Sequence, residues 1–178
     1  MIRMATLSDA QRFAEIYNPY IETTMVTFEE EPLSREQFEK RMEGIMEQYP
    51  WIVYEEEGRV LGYAYLSAFN PRSAYDWTAD LAIYVDMQEK GKGIGSKLMR
   101  AIIELAEKDG YLWLVSIVTQ GNEGSEAIHE KFGFDKQASF EDFGYKMNRW
   151  TGVDYYVKKL GTLPDRPERP KNLSLEEI

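Results

Sequence analysis

At 178 residues, with 43% apolar and 13% aromatic residues, the chain can bury the core of one domain and lies outside the disordered range. A net charge of −10 argues against a nucleic-acid partner, which needs clustered Lys and Arg, yet allows a small anionic ligand held by a local field. The lack of cysteine excludes disulfides, thiolate zinc sites and a cysteine nucleophile, and no run approaches the ~18 apolar residues of a membrane span.

The opening MIRMATLSDAQ lacks the apolar core of a signal peptide, so a cytoplasmic protein without a membrane partner is expected. Ile2 to Thr6 reads as a short first strand. Ser8 with Gln11 forms a capping box, and Ala10, Phe13, Ala14 and Tyr17 make a helical stripe that Asn18-Pro19 interrupts. Tyr20 to Glu31 has no firm period and reads as a loop or short helix. Ser34 with Gln37 opens the next helix, faced by Phe38, Met42, Ile45 and Tyr49 and closed by Pro50.

Trp51 to Glu55 and Val60 to Ala68 are strands joined at Glu57-Gly58, the strongest hairpin signal in the chain. Thr78 to Val85 is a further strand, and Gly91 to Gly95 leads into a helix ending near Gly110. Tyr111 to Val118 is apolar on both faces apart from Ser116, the pattern of a central strand. A short helix over Asn122 to Phe132 follows, with Gly133 as its C-cap. An irregular strand over Phe134 to Tyr145 and a last strand over Val153 to Leu160 complete the order β-α-α-β-β-β-α-β-α-β-β. This is a mixed sheet with helices on both faces, α/β or α+β, in one domain over residues 1–160. The Pro- and charge-rich stretch 161–178 reads as a flexible or loosely docked tail.

The chemistry centres on Gln88-Glu89-Lys90-Gly91-Lys92-Gly93-Ile94-Gly95-Ser96-Lys97, between a strand and a helix. A Walker loop fails there, because Asp86 occupies its first Gly position and Gly93 follows Lys92. The dinucleotide fingerprint fails at Ser96, where its third Gly belongs. What remains is Q-x-x-G-x-G with a further Gly95. Residues without side chains let successive backbone N–H groups point into one concavity at a helix N-terminus, a seat for a pyrophosphate. Lys90, Lys92, Lys97 and Arg100 add local positive charge. On its own the pattern is also that of a glycine-rich turn with a solvated basic rim.

The stretch resembles the acyl-CoA loop of the GNAT superfamily of N-acetyltransferases, whose order of elements is similar. IYNPYIETTMVTFEEEP, YPWIV, AYDWTADLAIYV and SEAIHEKFGF, in order within residues 2–160, resemble the phosphinothricin and methionine sulfone or sulfoximine N-acetyltransferases. The resemblance implies a mostly antiparallel mixed sheet with splayed central strands, and acetyl-CoA as co-substrate with no metal. It implies that pantetheine enters between strands 78–85 and 111–118, bonding the backbone at Ile83, Tyr84 and Val85. Gln88, Lys90, Gly91, Lys92, Gly93, Ile94, Gly95 and Ser96 would hold the phosphates. Asn122 and Ser125 match positions near the arm, though either also serves as an ordinary N-cap.

By the same resemblance Asp80 is the base that takes a proton from the acceptor ammonium. Asp stands where the family string has Glu, one methylene longer, which favours a water relay. His129, the only histidine, falls where the acid that protonates the thiolate is expected. From the residues alone, Asp80 also reads as a solvated strand-end carboxylate and His129 as a structural helix histidine. Phe28, Arg72, Tyr75 and Tyr84 fall on acceptor-pocket positions, Arg72 as a carboxylate clamp. The expected reaction is acetylation of the α-amine of a small amino-acid analogue. A homodimer built on the aromatic segment Phe140 to Tyr156 is expected. Competing readings are a polyamine, aminoglycoside or protein N-terminus as acceptor, and a non-catalytic acyl-CoA sensor.

Overall fold

A computed structural model of the chain describes residues 1–175. The elements are β1 (Ile2–Met4), α1 (Ala10–Thr23), α2 (Arg35–Met46), β2 (Trp51–Glu56), β3 (Arg59–Ala68), β4 (Thr78–Val85), α3 (Ile94–Asp109), β5 (Trp113–Thr119), α4 (Glu123–Lys131), β6 (Asp135–Lys146) and β7 (Arg149–Lys159). Their order is the one read from the sequence. Among the described residues the strands form one seven-stranded sheet, β1-β2-β3-β4-β5-β7-β6, antiparallel throughout except for the β4–β5 pair. Helices cover both faces, as expected for this fold class.

Two apolar layers hold the helices to the sheet. On one face Leu98, Met99, Ile102 and Ala106 of α3 pack on Ile52, Ala64, Leu114 and Val118. On the other, Phe13 and Tyr17 of α1 and Phe38 and Met42 of α2 pack on Trp51, Val53 and Tyr63. Phe13 is fully buried and stacks on Trp51 with ring centres 5.6 Å apart. Truncating Phe13 to Ala is worth about 3–5 kcal/mol at such a site.

The feature that positions the site is the parallel pair. β4 and β5 are in register only at Thr78, Ala79 and Asp80 against Trp113, Leu114 and Val115. Past that point β4 stays paired with β3 as far as Val85, and β5 with β7 as far as Thr119. Each strand keeps its outer neighbour, so the sheet opens between them.

Several local expectations are corrected. Pro19 does not interrupt α1, which runs through to Thr23. Losing one backbone donor is outweighed there by the burial of Tyr17, Tyr20 and Ile21, and the Thr23 and Thr24 hydroxyls donate to the Pro19 and Tyr20 carbonyls. The first capping box belongs to Thr6 and Asp9 rather than Ser8 and Gln11: the Asp9 carboxylate accepts from the Thr6 N–H at 2.9 Å and pairs with Arg3. The Ser34–Gln37 box and the Glu57-Gly58 turn form as read, the latter with both residues at positive φ. β6 is irregular because its register against β7 shifts twice.

Of the stretch 161–178, read as a flexible or loosely docked tail, residues 161–175 lie along the end of the sheet away from the opening, and 176–178 lie outside the described residues. The Trp77 indole N–H donates to the Glu168 carbonyl at 2.7 Å and the Leu173 N–H to the Asp109 carboxylate at 2.6 Å. Leu173 and Leu175 pack against the α3 layer.

Candidate active site

The opening between β4 and β5 forms a cavity of about 700 Å³ whose wall draws on both faces of the sheet. Side chains alternate along a strand, so Asp80, Ala82 and Tyr84 face α1 and α2, while Leu81, Ile83 and Val85 face α3. On the first side the wall is Asp80, Tyr84, Tyr65, Tyr20 and Val26. On the second it is Gly93, Gly95, Ser96, Asn122, Ser125 and His129. The cavity therefore crosses the sheet.

At its α3 end the glycine loop is built from the turn outward. Asp86 accepts from the Gln88 N–H at 3.0 Å and pairs with Arg12 and with Arg59, fixing the chain as it leaves β4. Gly91 and Gly93 follow at φ 80° and 78°. Among the described residues a Cβ on either would meet nothing within 4 Å, so it is the left-handed backbone that calls for glycine there, not crowding. Gly93 is the N-cap of α3, and among the described residues no side chain caps that helix. Its first-turn N–H groups are thus left for a ligand at the positive end of the helix dipole, and these residues fit a pyrophosphate.

Of the cations expected around the loop, only Lys90 lines the cavity. Lys92 pairs with Glu89 at 2.5 Å, Lys97 turns to the Tyr54 hydroxyl at 2.9 Å, and Arg100 lies over the Phe132 ring. Lys131 of α4 joins the wall instead, 3.5 Å from the Ser96 hydroxyl. Gln88 is exposed and outside the wall.

The β4 edge facing the opening is partly occupied. Ser116 donates its hydroxyl to the Leu81 carbonyl at 3.0 Å, and Tyr20 donates its hydroxyl to the Val85 carbonyl at 2.5 Å. Ile83 lies between them on the same edge and, by the two-residue alternation, presents its backbone N–H and C=O to the cavity. An inserted arm with amide groups can pair there as an added strand.

Asp80 and His129 face the opening from opposite sides. Burial pushes the Asp80 carboxyl up to about 6, against the opposing pull of its bond from the Leu81 N–H. His129 is buried, which lowers its proton affinity, while its bond to the Ser125 carbonyl raises it. That bond is 2.7 Å from Nδ1. A carbonyl only accepts, so Nδ1 carries the hydrogen and Nε2 of the neutral ring keeps its lone pair. Asn122 is the N-cap of α4, accepting from the Ser125 N–H, so its N-cap reading and its place in the cavity wall both hold.

Three of the four acceptor-pocket residues lie elsewhere than expected. Arg72 and Tyr75 stand exposed on the turn before β4, and Phe28 is set on Gly144 of β6; only Tyr84 lines the cavity. In their place the fold brings Tyr20, Val26, Tyr65, Ser116 and Thr119 to the wall. Ser116, polar within an apolar strand, carried a visible signal. The others are brought in by long-range packing.

Comparisons with known proteins agree with this geometry. A family model described as an acetyltransferase (GNAT) domain matches residues 2–153. The phosphinothricin N-acetyltransferase of Streptomyces viridochromogenes is 34% identical over 170 residues, 95% of this chain and 93% of the relative. The L-methionine sulfoximine/L-methionine sulfone acetyltransferase of Pseudomonas aeruginosa is 29% identical over 168 residues, covering 93% and 98% of the two chains. Among solved structures, a GNAT superfamily phosphinothricin acetyltransferase from Sinorhizobium meliloti in complex with AcCoA gives a TM-score of 0.89 at 29% identity, covering 98% and 95%.

Proposed function

The chain belongs to the GNAT acetyltransferase family, and from that premise we propose that it acetylates the α-amine of a small amino-acid analogue of the phosphinothricin, methionine sulfone or methionine sulfoximine type. One observation carries the reading: the cavity crosses the sheet, with the pyrophosphate-type loop and His129 on one side and Asp80 on the other. Acetyl-CoA supplies the thioester. The acceptor reaches it from the α1–α2 side.

Asp80 takes the first proton from the acceptor ammonium, directly or through a water, and leaves the lone pair that attacks the thioester carbonyl. A backbone N–H on the exposed β4 edge holds the oxygen on which negative charge grows. As the carbon–sulfur bond breaks, the nitrogen sheds its second proton to His129 Nε2, which passes it to the thiolate sulfur. Nitrogen thus loses two protons, one to solvent through Asp80 and one to sulfur. His129 is a proton relay in this scheme rather than a standing acid, because its ring is neutral and its one N–H is held by Ser125.

The relatives' named substrates support the acceptor class. The exposed aromatics Phe143, Tyr145 and Trp150 on β6–β7, each more than half exposed, support a homodimer joined through that hairpin.

Thermal unfolding with and without acetyl-CoA tests the co-substrate. At a hundredfold excess over Kd, binding to the native state adds about 2.7 kcal/mol. Gly93→Val places a β-branched residue at φ 78° and is expected to abolish that gain while the sheet stays folded. No shift in the wild-type protein at millimolar acetyl-CoA overturns the assignment.

A further inference from the structure

Lys146, near the tip of the β6–β7 hairpin, is a charged residue only 3% exposed. Its ammonium donates to the Thr24 carbonyl at 2.9 Å and to the Thr27 carbonyl at 2.8 Å. These two carbonyls flank Val26, which lines the cavity on the α1–α2 side. The same loop is tied from the end of β5, where the Thr119 hydroxyl donates to the Val26 carbonyl at 3.3 Å. It is tied from α1 as well, where the Tyr17 and Thr27 hydroxyls bond at 2.7 Å. Gly144 completes the contact: a Cβ there would come within 2.2 Å of the Phe28 ring, so the hairpin has been kept bare where Phe28 lies.

Burying an ammonium is costly, and a lysine whose only task was to fill space would be replaced by Met or Leu at no loss. Two carbonyls converging on one cation answer a different need. They close a loop that has no regular structure of its own, between Thr24 and Ser34, onto a hairpin more than a hundred residues further along the chain.

We propose that Lys146 is a positioning residue for the acceptor, clamping the 24–27 loop so that Val26 forms a fixed wall of the acceptor half of the cavity. This rests on the acetyltransferase reading of that cavity. The glycine loop and α4 take no part in the clamp, so acetyl-CoA binding should be indifferent to it. The hairpin that carries Lys146 also carries the exposed aromatics, which joins the acceptor wall to the surface proposed for the dimer.

The test uses Lys146→Met, which keeps the length and removes the donors, and Lys146→Gln, which is shorter but keeps two N–H donors. Hydrogen exchange at residues 24–27 and calorimetric titration with acetyl-CoA need no acceptor. Steady-state kinetics with methionine sulfone adds the functional readout. In Lys146→Met, exchange at 24–27 should rise at least tenfold and the KM for methionine sulfone at least tenfold. The acetyl-CoA Kd should stay within twofold and kcat within threefold. Lys146→Gln should fall between, and it carries the test if the Met variant does not fold. Unchanged exchange at 24–27 overturns the clamp, as does an acetyl-CoA Kd that rises in step with the amine KM. If the wild type binds acetyl-CoA but turns over no methionine sulfone, the acceptor assignment fails instead, and exchange still decides the clamp.

Discussion

Ser116 of β5 donates its hydroxyl to the Leu81 carbonyl of β4 at 3.0 Å, one position past the last paired residues, Asp80 and Val115. This bond stands at the apex of the opening. It satisfies a carbonyl that would otherwise face the cavity without a strand partner, and it sets how far down the two strands part. Ser116→Ala removes the donor and leaves the carbonyl buried, at a cost of about 1–3 kcal/mol. The expected result is a lower Tm together with weaker acetyl-CoA binding, read by calorimetry. A stable variant with unchanged Kd would show that the apex is set by the outer strand pairs alone.

In the proposed mechanism Asp80 couples activity to stability with opposite signs. Its carboxyl is raised from 3.8 to about 6 in the folded protein, so the folded state holds the proton more tightly than the unfolded chain. Its contribution to stability is therefore fully present below pH 3.8 and is lost as pH rises through about 6. Asp80→Asn should raise the Tm at pH 7–8 by a few degrees while lowering kcat by about 10² or more. The wild-type rate should rise through pH about 6 as the base ionises, and that limb should be missing in the variant. His129→Gln should keep the limb and lower kcat, because it breaks the relay and not the base. Loss of the limb in both variants would mean that the two groups titrate as one unit.

What the sequence showed was what is local. The Ser34–Gln37 capping box, the Glu57-Gly58 turn and the Gly91-to-Gly95 loop each depend on residues within a few positions of one another, and all three formed. Pro19 misled because its cost is local while the burial of Tyr17, Tyr20 and Ile21 that outweighs it is tertiary. The wall of the cavity divided the same way. Asp80 and His129 stood out as the acid and the histidine of matched strings, and both line it. Tyr20, Val26 and Lys131 carry no mark of their own. They reach the cavity because α1, the loop after it and α4 are folded against strands far away in the chain.

The β6–β7 hairpin yields a prediction about assembly. Trp150 is 60% exposed and packs against Tyr145 with ring centres 5.2 Å apart, an apolar surface on the edge strand β6 and its neighbour β7. Sedimentation at tens of micromolar should give a dimer for the wild type and a monomer for Trp150→Glu, whose charge has no partner in an apolar contact. A wild-type monomer at that concentration overturns the homodimer. A dimer that survives Trp150→Glu moves the contact to another surface.

The most direct test of the central claim is thiol release from acetyl-CoA, measured as kcat/KM across one panel of amines. The panel holds phosphinothricin, methionine sulfone, methionine sulfoximine, plain methionine, a polyamine and an aminoglycoside. The hydroxyls of Tyr65 and Tyr84, both in the cavity wall, can donate to sulfone or phosphinyl oxygens and find no such partner in a thioether, so plain methionine should trail the sulfone by tenfold or more. The three oxygen-bearing analogues should lead the panel, and their products should carry the acetyl group on the α-nitrogen. A polyamine or aminoglycoside ahead of all three would contradict the acceptor assignment, and no thiol release with any amine would contradict catalysis at this cavity.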